Sequence, residues 1–399
     1  MKLVVVGFGQ CGGKIADEFS RLNGRARLRR RIHIVDDIFA VNTDTCDLSA
    51  LTNVPTDYTH RILIGNRRTA GHGVGKLNEL GAEIAKKDAD KVVEAMRSAR
   101  SFYETDAFLF ITSAAGGTGS GSMPIIARAI RERFKGKPIY ALVVLPFEHE
   151  VKSCAKAFSN TATCLKATYS VADAVFLVDN QRYIEKDSSL LNNMNAINKL
   201  IVDPFYDLLC AGEEKKAKRI GSKVLDAGDI LSAARGWTTL GYGVSQLPTF
   251  RLFRWRQRNF RKKGAEVHKG LEAMDQAISN LSFHCDPKDA ASALYLISAP
   301  SQEMSMDLVK ELVDYLAEIA PQATIRYGDY PRGESTLKIT LILSQLGRVD
   351  IVKDYYDKMP DLILEKERFE LESEGNLREL ANASIAVPSL FGGNGEHGH

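Results

Sequence analysis

The sequence predicts an α/β fold: a doubly wound parallel sheet joined by a long central helix to a smaller α+β domain. Continuous apolar runs alternate with helical patterns up to residue 178, which is typical of a parallel sheet covered by helices on both faces. Apolar residues then recur at helical spacing for longer than in an ordinary crossover, and a less regular mixture of elements follows. We therefore expect domains at 1–188 and 221–383, a central helix at 189–220, and a flexible tail at 384–399.

The individual elements follow from the same patterns. In the first domain they predict strands at 2–6, 32–41, 62–64, 107–111, 139–145 and 174–178, and helices at 77–100, 122–134 and 152–171. In the second domain they predict helices ending near 234 and 281 and others at 304–320 and 349–371, with strands at 239–247, 293–297, 324–327 and 337–343. The carboxyl ends of the first-domain strands should therefore meet at one edge of the sheet.

Composition narrows the class of protein. The chain has 399 residues, 44% of them hydrophobic, and a formal net charge of only +3, so its overall charge does not require a nucleic-acid partner. The six cysteines are scattered without the spacing of zinc ligands or of a disulfide framework. The first residues run into a predicted strand, and no apolar run reaches membrane-spanning length. We expect a cytoplasmic protein.

A glycine-rich stretch at 113–121 lies between an apolar strand and a helical pattern. It reads Ser-Ala-Ala-Gly-Gly-Thr-Gly-Ser-Gly. Glycine lets the backbone approach a ligand closely, and the following helix offers unpaired N–H groups and the positive end of its dipole. The stretch therefore predicts a phosphate-binding loop, with a flexible surface loop as the alternative.

A second glycine motif, at 7–12, matches the G-x-G-x-x-G pattern of dinucleotide-binding proteins. An NAD(P)-dependent oxidoreductase of the Rossmann type must therefore be considered. That fold needs an acidic residue at the end of the second strand, whereas Asp36 and Asp37 fall within the apolar run. Glycine clusters at 7–13, 71–75 and 116–121 would suit a triphosphate better than a dinucleotide.

A P-loop is absent, because Ala70 and Leu77 stand where that motif needs a glycine and a hydroxyl. A phosphate site without the P-loop lysine depends on backbone N–H groups, helix dipoles and a metal ion. Such a site binds its ligand tightly but catalyses poorly. The missing catalytic group could come from another molecule.

The glycine motifs and several further segments resemble the tubulin/FtsZ superfamily, in the order in which that family carries them. The mixture of tubulin-like and FtsZ-like features is most similar to the archaeal CetZ branch. The matching segments are 9–12 and 115–121 (tubulin-like), 42–44, 71–75 and 145–147 with Glu150 (FtsZ-like), and Leu190, Leu191, Met194 and Asn198 at the start of the central helix.

The resemblance implies GTP or GDP as ligand, with Mg²⁺, for which we assign no protein ligand. Glu150 would bind the ribose hydroxyls, and Asn198, or Asn180 as second candidate, the guanine edge, since an amide both donates and accepts. Cys154 and Met194 depart from FtsZ, which has arginine and phenylalanine at these places. The implied nucleotide-binding residues are Gly9, Gln10, Cys11, Gly12, Asn42, Asp44, Gly71, Gly73, Gly75, Ala115, Gly116, Gly117, Thr118, Gly119, Ser120, Glu150, Asn180, Met194 and Asn198.

Two aspartates in the segment 221–229 supply candidates for the missing chemistry. The segment resembles the FtsZ loop that enters the nucleotide pocket of the adjoining subunit, which implies that Asp226 and Asp229 orient the water that attacks the γ-phosphate. Carboxylates three apart at a helix start also form N-cap pairs, and both roles can hold together if Asp229 caps while Asp226 points outward. Val224 replaces an FtsZ asparagine, so turnover could be slow.

The resemblance further implies a cytoskeletal GTPase that assembles head to tail into filaments, in cell shape or cell division. Its partner is then a second copy of the same chain, with membrane or cytoskeletal adaptors as further candidates and no nucleic acid expected. The basic segment 251–263 mixes seven cations with three aromatic residues. It is either a lateral subunit contact or a plain basic surface.

Overall fold

The computed structural model describes residues 1–99, 102–184, 190–247 and 260–360. Residues Met1–Val352 form one compact unit and Lys353–His399 a second. The segment 251–263 lies outside the described residues up to Asn259, and so does the predicted tail at 384–399. All the strands that the structure describes belong to the first unit.

The first unit is built on one sheet of ten strands in the order β3-β2-β1-β4-β5-β6-β7-β10-β8-β9. The strands are β1 Leu3–Phe8, β2 Val35–Asn42, β3 Arg61–Leu63, β4 Ala107–Ser113, β5 Ile139–Leu145, β6 Ala174–Asp179, β7 Gly236–Gln246, β8 Ser292–Ala299, β9 Thr324–Pro331 and β10 Thr336–Ser344. All neighbouring pairs from β3 to β7 are parallel. Strand β10 is antiparallel to both β7 and β8, whereas β8 and β9 are parallel.

Helices cover this sheet. They are α1 Gly9–Arg30, α2 Thr45–Ser49, α3 Asn66–Thr69, α4 Asn78–Arg97, α5 Thr118–Arg133, α6 Glu148–Ser153, α7 Ala155–Tyr169, α8 Leu190–Ala211, α9 Ala227–Ala233, α10 Phe260–Ser279 and α11 Met306–Ile319, and α12 Asp350–Asp357 begins at the end of the first unit. Leu3 and Val5 of β1 share an apolar core with α1 and α8. Val4 and Val6, equally buried, must face the opposite side of the sheet because side chains alternate along a strand. The predicted α/β fold with a doubly wound parallel sheet is confirmed.

The second half of the molecule does not form a separate sheet. Strand β7 pairs in parallel with β6 at Ala174–Gly236, Val175–Trp237 and Phe176–Thr238, so the α+β part extends the parallel sheet. The central helix α8 lies against α1, where the rings of Phe19 and Phe205 are 5.4 Å apart. Both halves are therefore joined through the sheet as well as through the helix.

Several predicted element boundaries are wrong. The predicted helix at 152–171 is two helices, since Cys154 has extended backbone (φ −149°, ψ 103°) between α6 and α7. Helix α8 ends at Ala211 and not at 220. Gly212, directly after it, packs closely against another chain segment: a Cβ there would lie 2.9 Å from the Leu225 carbonyl oxygen. Helix α12 ends at Asp357, and residues beyond 360 lie outside the described part.

The glycine-rich stretch is only partly a loop, because α5 begins at Thr118 and α1 begins at Gly9. Gly119 and Gly121 therefore lie in the first turn of a helix. A Cβ on Gly121 would be 2.1 Å from the Asn78 carbonyl oxygen of α4, so glycine is needed there for close packing and not for a bend.

Among the described residues no helix combines the length and apolar character required to cross a bilayer.

A buried carboxylate fixes α1 to the chain segment after α2. Both oxygens of Asp17 accept hydrogen bonds: from the backbone N–H groups of Thr52, Asn53 and Val54 at 2.6–3.0 Å, and from the Thr52 hydroxyl and the Asn53 amide at 2.9 and 2.8 Å. Burial opposes ionisation of this group, but these hydrogen bonds outweigh it and the pKa of Asp17 is lowered. The ionised form therefore stabilises the folded state.

We expect Asp17→Asn to lower the free energy of unfolding at pH 7 by roughly 1–3 kcal/mol, because an amide donor replaces one acceptor oxygen. A lowered folded-state pKa gives stability that is present above the unfolded pKa of about 3.9 and is lost as the pH falls through the folded pKa. The difference from wild type should therefore shrink below pH 4. Urea unfolding from pH 7 to 3 measures it, with exposed Asp314→Asn as the control. A pH-independent difference would contradict the assignment.

Candidate functional site

A cavity of about 390 Å³ opens at the carboxyl ends of the parallel strands. Of the predicted binding residues, Gly12, Gly71, Ser120 and Asn198 do not line it. Its lining includes the others, namely Gly9, Gln10, Cys11, Asn42, Asp44, Gly73, Gly75, Ala115, Gly116, Gly117, Thr118, Gly119, Glu150, Asn180 and Met194, together with Phe8, Asp47, His72, Lys76, Ser113 and Phe147. The predicted glycine loops are therefore brought together at one place.

Two glycine loops form the floor of the cavity by direct backbone packing. Gly9 has φ +70°, and a Cβ on it would lie 3.0 Å from the Gly119 nitrogen. A Cβ on Gly119 would lie 2.3 Å from the Thr112 hydroxyl and 2.7 Å from the Phe8 carbonyl oxygen. The amino ends of α1 and α5 therefore meet beside the cavity, where their unpaired N–H groups and dipoles favour an anion.

Hydrogen bonds tie the loop after β2 to both glycine loops. The hydroxyls of Thr43 and Thr118 are 2.6 Å apart. The Asp47 carboxylate accepts from the Gln10 amide at 2.8 Å and from the Asn42 amide at 3.1 Å. Asp44 is the N-cap of α2 and accepts from the Cys46 and Asp47 N–H groups. These two carboxylates are therefore engaged within the protein.

The loop 71–75 is attached to the same segment. The Gly71 carbonyl accepts from Thr45 N–H at 3.0 Å, and Gly73 N–H donates to the Thr43 carbonyl at 3.1 Å. Gly71, Gly73 and Gly75 have φ between +58° and +79°, a region that favours glycine. Gly71 shapes this loop from behind, whereas Gly73 and Gly75 line the cavity.

Sequence reasoning missed Asn160 of α7, which links two of the loops. Its side chain is 3% exposed, and its amide nitrogen donates to the Lys76 carbonyl at 2.9 Å, the Ala115 carbonyl at 3.1 Å and the Gly116 carbonyl at 3.4 Å. No motif marks this residue. It became recognisable only when the fold placed α7 behind both loops.

Four further residues that line the cavity are Cys11, Glu150, Asn180 and Met194. The Glu150 carboxylate accepts from Phe147 N–H at 3.0 Å, which holds it at the start of α6. Burial, and secondarily the nearby Glu150 charge, raises the pKa of the Cys11 thiol to about 12. The neutral thiol of Cys11 is therefore favoured over the thiolate.

Asn198 is buried, at 5% exposure, so it does not belong to a solvated helix face. It is not among the residues that line the cavity, and its base-reading role stays a prediction. Asn180, the second candidate, follows β6 directly and does line the cavity. Gly12 and Ser120 also lie behind the lining: a Cβ on Gly12 would be 2.2 Å from the Ile111 carbonyl oxygen, and the Ser120 hydroxyl donates to the Gly116 carbonyl.

The aspartates of the segment 221–229 lie at the opposite edge of the sheet. A Cβ on Gly212 would be 3.4 Å from the Met1 nitrogen, ahead of β1, and 3.7 Å from the Asp226 Cα. The side chain of Asp226 is exposed and that of Asp229 is half-buried. The strand β1 has six residues, so roughly 20 Å separates its two ends.

The expected division of roles between these aspartates is wrong. Asp226 is the N-cap of α9, where its Oδ1 accepts from Asp229 N–H at 2.8 Å, and the Asp229 carboxylate accepts from Asp226 N–H at 3.4 Å. Both residues form a reciprocal capping box, because each side chain satisfies an N–H group that the short helix leaves free. In the described part of the chain no group of three or more His, Cys, Asp or Glu is arranged to hold a metal ion.

Comparisons with known proteins agree with this geometry. The family model "Tubulin/FtsZ family, GTPase domain" matches residues 2–186, and "Tubulin-like CetZ, C-terminal domain" matches residues 187–359. The tubulin-like protein CetZ1 of Haloferax volcanii is 30% identical over 95% of this chain and 94% of its own length. The CetZ of Pyrococcus abyssi is 26% identical over the full length of both chains.

Solved structures extend the likeness to the fold. The GDP-bound monomer of CetZ1 from Haloferax volcanii has a TM-score of 0.76 and 28% identity, covering 92% of this chain and all of that one. The GTPγS-bound protofilament of CetZ2 from the same organism gives the same values. These relatives lend no support to an NAD(P)-dependent oxidoreductase. By its sequence over nearly its whole length, the chain belongs to the CetZ family of tubulin-like proteins within the tubulin/FtsZ superfamily.

Proposed function

We propose that this protein is a cytoskeletal GTPase that assembles head to tail and hydrolyses GTP between two subunits. The proposal rests on one observation: the cavity and the aspartate pair lie at opposite edges of one sheet. A single chain cannot bring Asp226 to its own cavity. Two copies stacked in the same orientation can, and such a heterologous contact continues into an open filament.

The cavity suits a nucleoside triphosphate. The amino ends of α1 and α5 and the loop Ala115–Gly117 would bind the phosphates through backbone N–H groups, and Gly73 and Gly75 would lie beside the γ-phosphate. Glu150 would accept from the ribose hydroxyls, and Asn180 would contact the guanine edge. The relatives with GDP and GTPγS in their structures support guanine nucleotides as the ligand.

The aspartate pair would orient the water that attacks the γ-phosphate of the neighbouring subunit. The capping box engages Oδ1 of Asp226 and Oδ2 of Asp229, so each carboxylate keeps a second oxygen that can accept from a water molecule. The same hydrogen bonds fix both carboxylates at the start of α9. The protein thus supplies orientation, which is the main contribution of proteins to phosphoryl transfer.

Mg²⁺ would supply neutralisation of the phosphate charge when bound. Two carboxylates that line the cavity, those of Asp44 and Asp47, already accept hydrogen bonds from backbone and amide groups. This agrees with the usual binding of Mg²⁺ by substrate phosphates, water and few side chains.

The family assignment and the CetZ2 protofilament support a second copy of this chain as the partner. Family membership is also the support for placing the filament in the cytoplasm, in cell shape or cell division, with membrane or cytoskeletal adaptors as additional partners. We also propose 1–188 as the GTP-binding domain, 189–220 as the region of the central helix and 221–383 as the GTPase-activating domain. The two matching family models, at 2–186 and 187–359, support the division near residue 187.

GTPase rate per subunit should rise with protein concentration, because the complete site exists only between stacked subunits. Phosphate release measured from below to above the assembly threshold tests this, with light scattering to report polymer. A rate per subunit that is independent of concentration would exclude the shared site.

We expect Asp226→Asn to leave GTP affinity unchanged and to reduce turnover about 100-fold or more, the usual range for losing a group that directs proton transfer or water. Asparagine is as good an N-cap as aspartate, so α9 should be retained. Asp229→Ala should show the same pattern of binding without turnover. Titration with a fluorescent GTP analogue measures the affinity of both variants. If a variant binds GTP more weakly but turns over bound GTP at the normal rate, the catalytic assignment of its aspartate is wrong.

Asn160→Ala should weaken GTP binding about ten-fold, because three loop carbonyls lose their shared donor and the loops lose their fixed spacing. Ser159→Ala is the matched control and should bind GTP normally, because this half-buried neighbour in the same helix donates its hydroxyl to the Lys156 carbonyl of α7. Equilibrium titration of the two variants decides the point: equal affinities would show that Asn160 does not position the loops.

A further inference from the structure

The chain segment that leads to Asp226 is hydrogen-bonded to strand β9. Asp329 Oδ2 accepts from Ser222 N–H at 2.8 Å, and its Oδ1 accepts from Lys223 N–H at 2.6 Å. The backbone of Asp329 returns a third bond, from its N–H to the Lys223 carbonyl at 3.0 Å. One side chain therefore fixes two consecutive peptide groups just before the aspartate pair.

The two segments approach too closely for side chains at two glycines. A Cβ on Gly221 would be 1.9 Å from the Asp329 carbonyl oxygen, and a Cβ on Gly328 would be 2.5 Å from Cγ of Leu225. On the same face, the Lys223 ammonium lies 3.6 Å from the centre of the Tyr327 ring. Strand β9 is the outermost strand on one side of the sheet, so the segment covers backbone groups that no further strand pairs with.

The segment is also held from the side of α8. Leu225 is 1% exposed, and Gly212 at the end of α8 lies against the Leu225 carbonyl and the Asp226 Cα. The backbone directly before Asp226 is therefore held on two sides, by α8 and by strand β9. The α8 side uses apolar burial, whereas the β9 side depends on the Asp329 carboxylate.

We propose that Asp329 is a positioning residue for the aspartate pair: it holds the segment 221–225 so that Asp226 and Asp229 reach the nucleotide of the next subunit in the correct geometry. The inference rests on the proposed function, because that function assigns the aspartates their role. Asp329 does not touch the substrate. It acts through two backbone N–H groups. Loss of its carboxylate therefore changes the position of Asp226 and Asp229 but not their ability to accept hydrogen bonds from water.

Asp329→Asn tests the hydrogen bonds to Ser222 and Lys223 directly. The asparagine amide keeps one acceptor oxygen, but its NH₂ group then faces the other backbone N–H group, and two donors cannot form a hydrogen bond. Hydrogen exchange in the peptide that contains Ser222 and Lys223 should become about ten-fold faster in the monomer, with unchanged exchange in β1 and α5. GTP affinity should be unchanged, and turnover in the polymer should fall about ten- to a hundred-fold, the cost of a displacement on the order of 1 Å. Asp314→Asn, exposed on α11, is the matched control.

Mixed filaments separate a positioning role from general destabilisation. Gly116 lines the cavity, and a Cβ on it meets no atom within 4 Å, so Gly116→Asp places a negative charge in the phosphate site of a subunit with an intact aspartate pair. Adding this variant to Asp329→Asn should restore GTPase activity, because intact aspartates then serve an intact cavity. Adding Asp226→Asn to Asp329→Asn should restore nothing, since both carry the defect on the same face.

The outcomes distinguish the inference from the function on which it rests. If Gly116→Asp restores Asp226→Asn but not Asp329→Asn, or if Asp329→Asn turns over GTP normally, Asp329 has no positioning role. If Gly116→Asp restores neither, the shared site fails and the inference fails with it. Gly221→Ala disturbs the same contact from the other segment, because its Cβ would meet the Asp329 carbonyl oxygen. If Asp329→Asn does not fold, Gly221→Ala must show the faster hydrogen exchange, the reduced turnover and the restoration by Gly116→Asp that are expected for Asp329→Asn.

Discussion

Seven neighbouring strands, from β3 to β7, run in the same direction, and the rest of the site depends on this constraint. It gathers the loops after β1, β2, β4, β5 and β6 at one edge, where open α/β sheets bind ligands. It equally forces the end of α8 and the segment after that helix to the opposite edge, beside Met1. The proposed division of the active site between the two edges is thus a direct consequence of the parallel topology.

Close backbone contact is what turns the gathered loops into one binding surface. A Cβ on Gly81 of α4 would lie 2.5 Å from the Gly117 carbonyl oxygen, and Gly12 and Gly119 are equally confined against β4 and β1. At these positions glycine is needed because a side chain would clash with neighbouring backbone, and not because the backbone must be flexible. The resulting surface presents backbone N–H groups already in place, so binding a phosphate requires little ordering and no P-loop lysine.

The sequence was informative where a contiguous pattern has a single physical cause. Apolar runs located the parallel strands β1, β4, β5 and β6, because strands buried on both faces contain little else. Boundaries failed where packing decided them: 118–121 is helical although rich in glycine, and Cys154 interrupts a pattern that reads as one helix. Asn160 and Asp329 could not be found at all. Each is a single polar residue whose partners lie 84 and 107 residues away, and only the fold places them together.

The capping box of Asp226 and Asp229 both stabilises the start of α9 and holds the two carboxylates that are proposed to act on GTP. In the proposed filament, the two carboxylates come near a triphosphate and repel it, so the stacked interface must offset that repulsion. The N–H groups at the start of α9 stabilise the negative charge of Asp226 and Asp229 before any neighbour arrives, which lowers the cost of placing both beside phosphates. The hydrogen bonds that begin a seven-residue helix therefore also prepare its first turn for contact with another subunit. Nucleotide binding to a single chain meets none of this repulsion, because the carboxylates lie at the far edge, and so the electrostatic cost falls on assembly.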